Sequence, residues 1–184
     1  MIEQMAQTAR PVLEWGIVRR VRRNHGLEHA TIHMLTRRQR VLRIAGRADN
    51  RGFFLYGETD TDTVREAAEE ALARMKRGEA KWAVHPNCGT GLVVSSAMTS
   101  GAALLGLAGV EGDRPAQFFA RLPMVMFLTV VALLASRPAG LSIQRHITTS
   151  GMPGDLEIAQ VIRREVTIPM GGTLTVHRIL TRNG

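Results

Sequence analysis

The sequence predicts an α+β fold whose soluble part is interrupted by a transmembrane helical hairpin. Three observations carry this expectation. Two uncharged apolar runs lie close together in mid-chain, a helix-period segment bearing three histidines precedes them, and short β-prone stretches flank them on both sides. Three segments follow: 1–88, a cytoplasmic α+β part with the histidine helix; 89–137, the transmembrane hairpin; and 138–184, a C-terminal strand pair packing on the first part.

In chain order, Pro11 to Arg38 reads as one helix, basic in its first half. It carries Asn24-His25-Gly26-Leu27-Glu28-His29-Ala30-Thr31-Ile32-His33. Residues four apart are neighbours on a helix, so His25, His29 and His33 share a stripe. Gly26 costs roughly 1 kcal/mol there relative to alanine, and the close approach of another element is the reason read for it. Two β-prone stretches follow, 41–45 and 52–57, joined by the turn-forming Asp49-Asn50-Arg51-Gly52. Thr63-Val64-Arg65-Glu66 reads as a capping box opening a helix that Gly78 ends.

Gly89 to Val110 is 22 residues without a charge, about 33 Å as a helix and enough to cross a hydrocarbon core of about 30 Å. Its Ala97/Gly101 and Ala102/Gly106 pairs have the small-x-x-x-small spacing that lets helices approach closely in lipid. A second apolar run, Leu122 to Ser136, is extended by Phe118, Phe119 and Ala120. Arg121 and Arg137 can snorkel from its ends. Glu111 to Pro115 forms the turn between the runs. Leu156 to Val166 and Thr173 to Thr181 read as a last strand pair around Pro169-Met170-Gly171-Gly172.

The chain carries 24 Lys+Arg against 16 Asp+Glu. Most of the surplus precedes the first run, which by the positive-inside rule places both termini in the cytoplasm. The expected location is a bacterial inner (cytoplasmic) membrane, and the lipid bilayer is the partner that accounts for the basicity. A mean hydropathy of only −0.03 keeps a buried α-hairpin of a soluble protein as the alternative. Nucleic-acid binding is not expected, because Arg19-Arg20-Val21-Arg22-Arg23 has only Trp15 near it and aromatic residues make up 4% of the chain. The single cysteine, Cys88, excludes an intramolecular disulfide. No secretory leader is read, no glycine-rich phosphate cradle is found, and neither apolar run has a histidine to ligate a haem.

The chemistry therefore concentrates in the histidine run. H-x-x-E-H is the spacing with which two imidazoles hold zinc while the carboxylate takes a proton from water. His25 and His29 are the candidate metal ligands and Glu28 the candidate catalytic base. A catalytic zinc usually takes three protein ligands. His85 and Cys88, in Trp82-Ala83-Val84-His85-Pro86-Asn87-Cys88-Gly89, are the best further donors, with Glu157 weaker. His33 is harder to converge on the same ion from one straight helix. His146 and His177 read as ordinary surface residues. The alternative is that the histidines pack against neighbours and bind nothing.

Two resemblances accompany these residues. The run 24–33, His85-Pro86-Asn87-Cys88-Gly89-Thr90, and Ile147-Thr148-Thr149-Ser150 before Leu156-Glu157-Ile158 resemble an uncharacterised family of small bacterial two-span membrane proteins, mostly from cyanobacteria and filamentous anoxygenic phototrophs. That resemblance implies a two-span membrane protein. The histidine helix alone also resembles the inverted zinc peptidases of the insulysin and processing-peptidase type. This implies His25 and His29 as zinc ligands and Glu28 as general base. The chain departs from that family because its third ligand is a glutamate on a later helix, where this chain has its first apolar run.

The expected function is thus that of a membrane-associated metal-binding protein, a zinc-dependent hydrolase acting on peptides. The alternative is a non-catalytic membrane subunit or assembly factor with a structural histidine cluster. The small-residue helix would then dock on a membrane-protein partner or a second copy of the chain.

Overall fold

A computed structural model describes residues 2–39, 43–110, 115–167 and 171–184. The fold is α+β, and the chain divides into two compact units: Met1–His85 with Arg145–Gly184, and Pro86–Gln144.

The first unit is built on a four-stranded antiparallel sheet in the order β1-β2-β4-β3. The strands are β1 (Ala45–Asp49), β2 (Gly52–Tyr56), β3 (Glu157–Thr167) and β4 (Thr173–Arg182). Asn50 and Arg51 turn β1 into β2, and the Asp49 carboxylate accepts the Arg51 N–H at 2.7 Å. The C-terminal strand pair completes this sheet, since β4 pairs with β2 from Gly52↔Leu180 to Tyr56↔Val176. Alternation along the strands places Phe53, Leu55, Val161 and Ile179 on one buried face.

Two helices cover that face. In α4 (Thr61–Lys76), Val64, Ala67, Ala68, Ala71, Leu72 and Met75 are buried at helical spacing. In α3 (Gly16–Arg38), Leu27, Ala30, Ile32, Met34 and Leu35 join the same core. Phe53 is fully buried among them. Phe53→Ala is expected to cost about 3–5 kcal/mol, the usual range for an excavated aromatic, read as a lowered melting temperature in detergent.

Several local expectations are corrected. The single helix from Pro11 is broken: α1 (Ile2–Thr8) and α2 (Arg10–Leu13) precede α3, which starts after extended Trp15. The N-cap of α4 is Asp60, not Thr63, because its carboxylate accepts both the Asp62 and Thr63 N–H groups. A hydroxyl two residues inside the helix is left with no cap to make. Among the described residues β1 begins at Ala45, and Arg43 and Ile44 of the expected stretch stand outside it. Val41 and Leu42, the turn at 111–114, and Pro169 and Met170 lie outside the described residues.

The second unit contains α5 (Gly89–Gly106) and α6 (Pro115–Ile143). Both are long and apolar enough to cross a membrane, and almost none of their residues are buried within the protein. Leu92, Leu104, Leu105, Phe119, Phe127 and Leu134 are exposed along them. A soluble protein's core hairpin would bury such residues. The two helices touch through small side chains. A Cβ on Gly106 would lie 2.8 Å from Val125, a Cβ on Gly140 would lie 3.2 Å from the Gly91 Cα, and the Ser95 and Ser136 hydroxyls are 2.7 Å apart. Gly101 faces open space, so this contact uses one of the two small-residue pairs and leaves Gly101 of the other uncovered.

Candidate metal centre

Helix α3 presents two neighbouring polar stripes. Asn24 and Glu28 form one, and it faces the sheet. The Asn24 amide donates to the Asp49 carbonyl at 2.8 Å, and its oxygen accepts from Thr181 Oγ1 at 2.8 Å. Glu28 is only 4% exposed and packs its carboxylate where a side chain on Gly46 of β1 would sit.

The second stripe is His25, His29 and His33. The His25 and His29 rings meet edge to face with centroids 4.4 Å apart. His25 Nδ1 lies 3.0 Å from the Thr148 carbonyl and His29 Nδ1 lies 2.8 Å from the Ala83 carbonyl. A carbonyl oxygen can only accept, so each Nδ1 carries the proton and each Nε2 carries the lone pair. That is the tautomer, and the backbone anchoring, with which histidine ligates metals. His33 is turned the other way, with Nε2 donating to the Val84 carbonyl at 2.9 Å.

The two anchoring carbonyls come from short irregular segments. Ala83 ends a 3-10 turn, Ala80–Ala83. The chain runs from there into His85, whose ring centroid is 5.9 Å from that of His29 and 4.7 Å from that of His33. Burial, and then repulsion from His33, hold the His85 pKa below the usual histidine range, which keeps its ring neutral at pH 7.

Thr148 ends the π-helical turn Gln144–Thr148. Its segment is held by Arg22, whose guanidinium donates to the carbonyls of Ile147 at 2.7 Å and of His146 and Thr149 at 3.2 Å each. The Ser150 N–H returns a bond to the Arg22 carbonyl at 2.9 Å. Gly26 lies under the same segment. A Cβ there would fall 2.2 Å from the Ser150 carbonyl oxygen, so the close approach read from the sequence is that of a backbone.

Arg22 is the positioning residue that sequence reasoning missed. Four arginines in five residues look like a solvated basic patch, and nothing in the run distinguishes the one on which backbone carbonyls converge.

Cys88 is the N-cap of α5, with Sγ accepting the Thr90 N–H at 3.4 Å. A helix N-terminus favours negative charge on that sulfur. His25, His29 and Cys88 are a His/His/Cys group that could hold a metal ion. Glu157 sits apart at the start of β3, paired with Arg182 at 2.7 Å.

His177 overturns its expectation as a surface residue. It is fully buried on the core face of β4, opposite Leu55, with Nε2 3.2 Å from Thr61 Oγ1. Burial, and secondarily the charge of Arg163, lower its pKa against the opposing pull of Asp60 and Glu58. The unfolded chain therefore takes up a proton near pH 6.5 that the folded chain refuses. Stability contributed by the neutral ring is full above that pH and is lost as the pH falls below it. His177→Gln is expected to flatten the acid side of the stability curve, measured as melting temperature between pH 7 and pH 5.

The family model described as a domain of unknown function (DUF6391) matches residues 20–161. The chain belongs to the DUF6391 family. The match takes in the histidine helix, His85, Cys88, the hairpin and the Arg22-bound segment. This DUF6391 protein is also 28% identical over 150 residues to an uncharacterised protein of Picosynechococcus sp. (strain ATCC 27264 / PCC 7002 / PR-6), across 77% of this chain and 71% of that one. No solved structure matches it.

Proposed function

We propose that this DUF6391 protein is a membrane-anchored metal-binding protein in which His25, His29 and Cys88 ligate one divalent ion. Zinc is the ion that suits two imidazoles and a thiolate. The observation that carries the reading is the pair of Nδ1 contacts to Thr148 and Ala83, which turn both Nε2 lone pairs to the same use. The third donor is close along the chain. Cys88 follows His85 by three residues, a span of at most about 11 Å, and His85 packs beside His29. His85 lies nearer His33 and is assigned to the surround of the ion, with its neutral ring available as a further donor.

Three protein ligands leave one tetrahedral position for water or substrate, as in catalytic rather than structural zinc sites. Zinc supplies Lewis acidity when bound. Glu28, adjacent to His29, is the group assigned to take the proton from an attacking water, and peptide hydrolysis is the reaction that arrangement serves. The exposed apolar faces of α5 and α6 support insertion in a bilayer. The arginines before α5 support a cytoplasmic placement of both termini in a bacterial inner membrane.

One observation favours the second reading, a non-catalytic membrane subunit. The Glu28 carboxylate fills space beneath Gly46, a structural use of the same residue.

Elemental analysis of detergent-purified protein, loaded with zinc and desalted, is expected to return stoichiometric zinc. A metal-free chain would sink the proposal. Glu28→Gln separates the two readings: retained zinc with lost peptide hydrolysis supports the enzyme. Wild-type protein that holds zinc and cleaves none of a mixed peptide library supports the subunit.

A further inference from the structure

Residues 2–17 fold without a core beneath them. Neither α1 nor α2 has a buried residue, and helices of 7 and 4 residues do not hold in water on propensity alone. Met5, Val12, Trp15 and Ile17 are each more than half exposed, Trp15 at 64%. Large apolar side chains this close in sequence, on helices that bury nothing, mark a surface that something else covers. Arg22 fixes where that surface lies. Its guanidinium donates to the Leu13 carbonyl at 3.3 Å and to the Glu14 carboxylate at 3.4 Å, while also holding the carbonyls of His146, Ile147 and Thr149. His146 and Ile147 belong to the last turn of the apolar helical stretch Ala116–Thr148.

Within the hairpin, Gly91 meets Gly140, Ser95 meets Ser136 and Gly106 meets Val125. This single antiparallel register sets Gly89, where the charge-free run starts, level with Ser142. Ile147 is about 8 Å further along a helix, and the headgroup layer is roughly 5–8 Å deep on each side of the hydrocarbon. The turn that Arg22 grips therefore leaves the bilayer among the headgroups, and Trp15 directly follows the Glu14 that Arg22 also holds. From this we infer that residues 2–17 dock on the lipid headgroup boundary of the leaflet where α6 emerges, a third membrane contact beside the two spans. Tryptophan suits that boundary because its ring is apolar and its N–H is polar. Charge within the segment cancels, since Glu14 pairs with Arg22 and Glu3 offsets Arg10. Docking is thus apolar and needs no anionic lipid. The inference rests on insertion of the hairpin, as proposed above, and not on the metal.

The test uses the full chain in dioleoyl-phosphatidylcholine vesicles, with part of the lipid brominated either just below the headgroup or near the chain end. The chain has 2 tryptophans, so Trp82→Phe leaves Trp15 as the sole reporter. Its emission should be quenched about twofold more by the shallow bromines than by the deep ones, as for a side chain at the acyl boundary. Added phosphatidylglycerol should leave that quenching unchanged. Trp15→Phe, Trp82→Phe and Leu134→Trp together report on the hairpin instead, and should show the reverse order. Val12→Asp with Ile17→Asp should about halve the quenching of Trp15 and keep the wild-type circular dichroism, both side chains being mostly exposed. Blue-shifted Trp15 emission that neither lipid quenches assigns the surface to a protein partner or a second copy, and overturns the inference. Quenching by aqueous iodide alone overturns it too, as does lipid quenching that requires phosphatidylglycerol. Lipid quenching of the Leu134→Trp reporter would show that the hairpin is inserted despite that failure, and its absence would show that insertion itself had failed.

Discussion

Replacing His29 with alanine is expected to strip zinc from the purified protein and to destabilise it at the same time. The two effects have separate causes. Apparent zinc binding to four-ligand sites is worth about 10–16 kcal/mol, so one ligand accounts for roughly 3 kcal/mol, or about two orders of magnitude in affinity. Desalting then removes the ion. The stability loss is independent of metal. His29 is 2% exposed and its Nδ1–H serves the buried Ala83 carbonyl. Truncation leaves that oxygen without its donor, at a cost of about 1–3 kcal/mol. His33→Ala is the control. It removes an imidazole from the same stripe, but one whose Nε2–H is already committed to Val84, and zinc should stay. Loss of zinc in His33→Ala with retention in His29→Ala would reverse the assignment of ligands.

Gly26→Leu is expected to be at least as damaging, and through the backbone. The obstacle is the Ser150 carbonyl, 2.2 Å from where the new Cβ must go, with the Ala83 Cβ at 3.2 Å on another side. Neither is the end of a flexible side chain, so the helix or the 146–150 segment must shift. Overpacking costs about 1–3 kcal/mol even in side-chain cores, and a backbone displacement costs more. That segment and Ala83 are also what anchor His25 and His29. The expected outcome is a protein with a lowered melting temperature and weakened zinc binding, measured on the same preparation. Helix propensity alone predicts the opposite sign, since leucine is the better helix former by almost 1 kcal/mol. A stabilised Gly26→Leu would refute the packing described for this site.

Much of this protein is legible residue by residue. The helix-period run 24–33, the strand-period runs 52–57 and 173–181, and two apolar runs, charge-free over 22 and 15 residues, set the α+β class, because each is a local pattern with a local physical cause. The histidine stripe is local too, since residues four apart on a helix must be neighbours.

What the sequence could not supply is everything that depends on where distant segments meet. Asp60, Thr61, Asp62 and Thr63 all carry side chains able to cap α4, and only the backbone geometry picks Asp60. His177 looks exposed in a polar stretch, yet β4 enters the sheet between β2 and β3 and carries it inside. Arg22 is one of a cluster of arginines until three carbonyls from 146–149 converge on it. Alone, the sequence determined which residues can bear chemistry and on which helix they lie. The tertiary structure decided their tautomers and anchors, because the carbonyls that fix them belong to Ala83 and Thr148, 54 and 123 residues away.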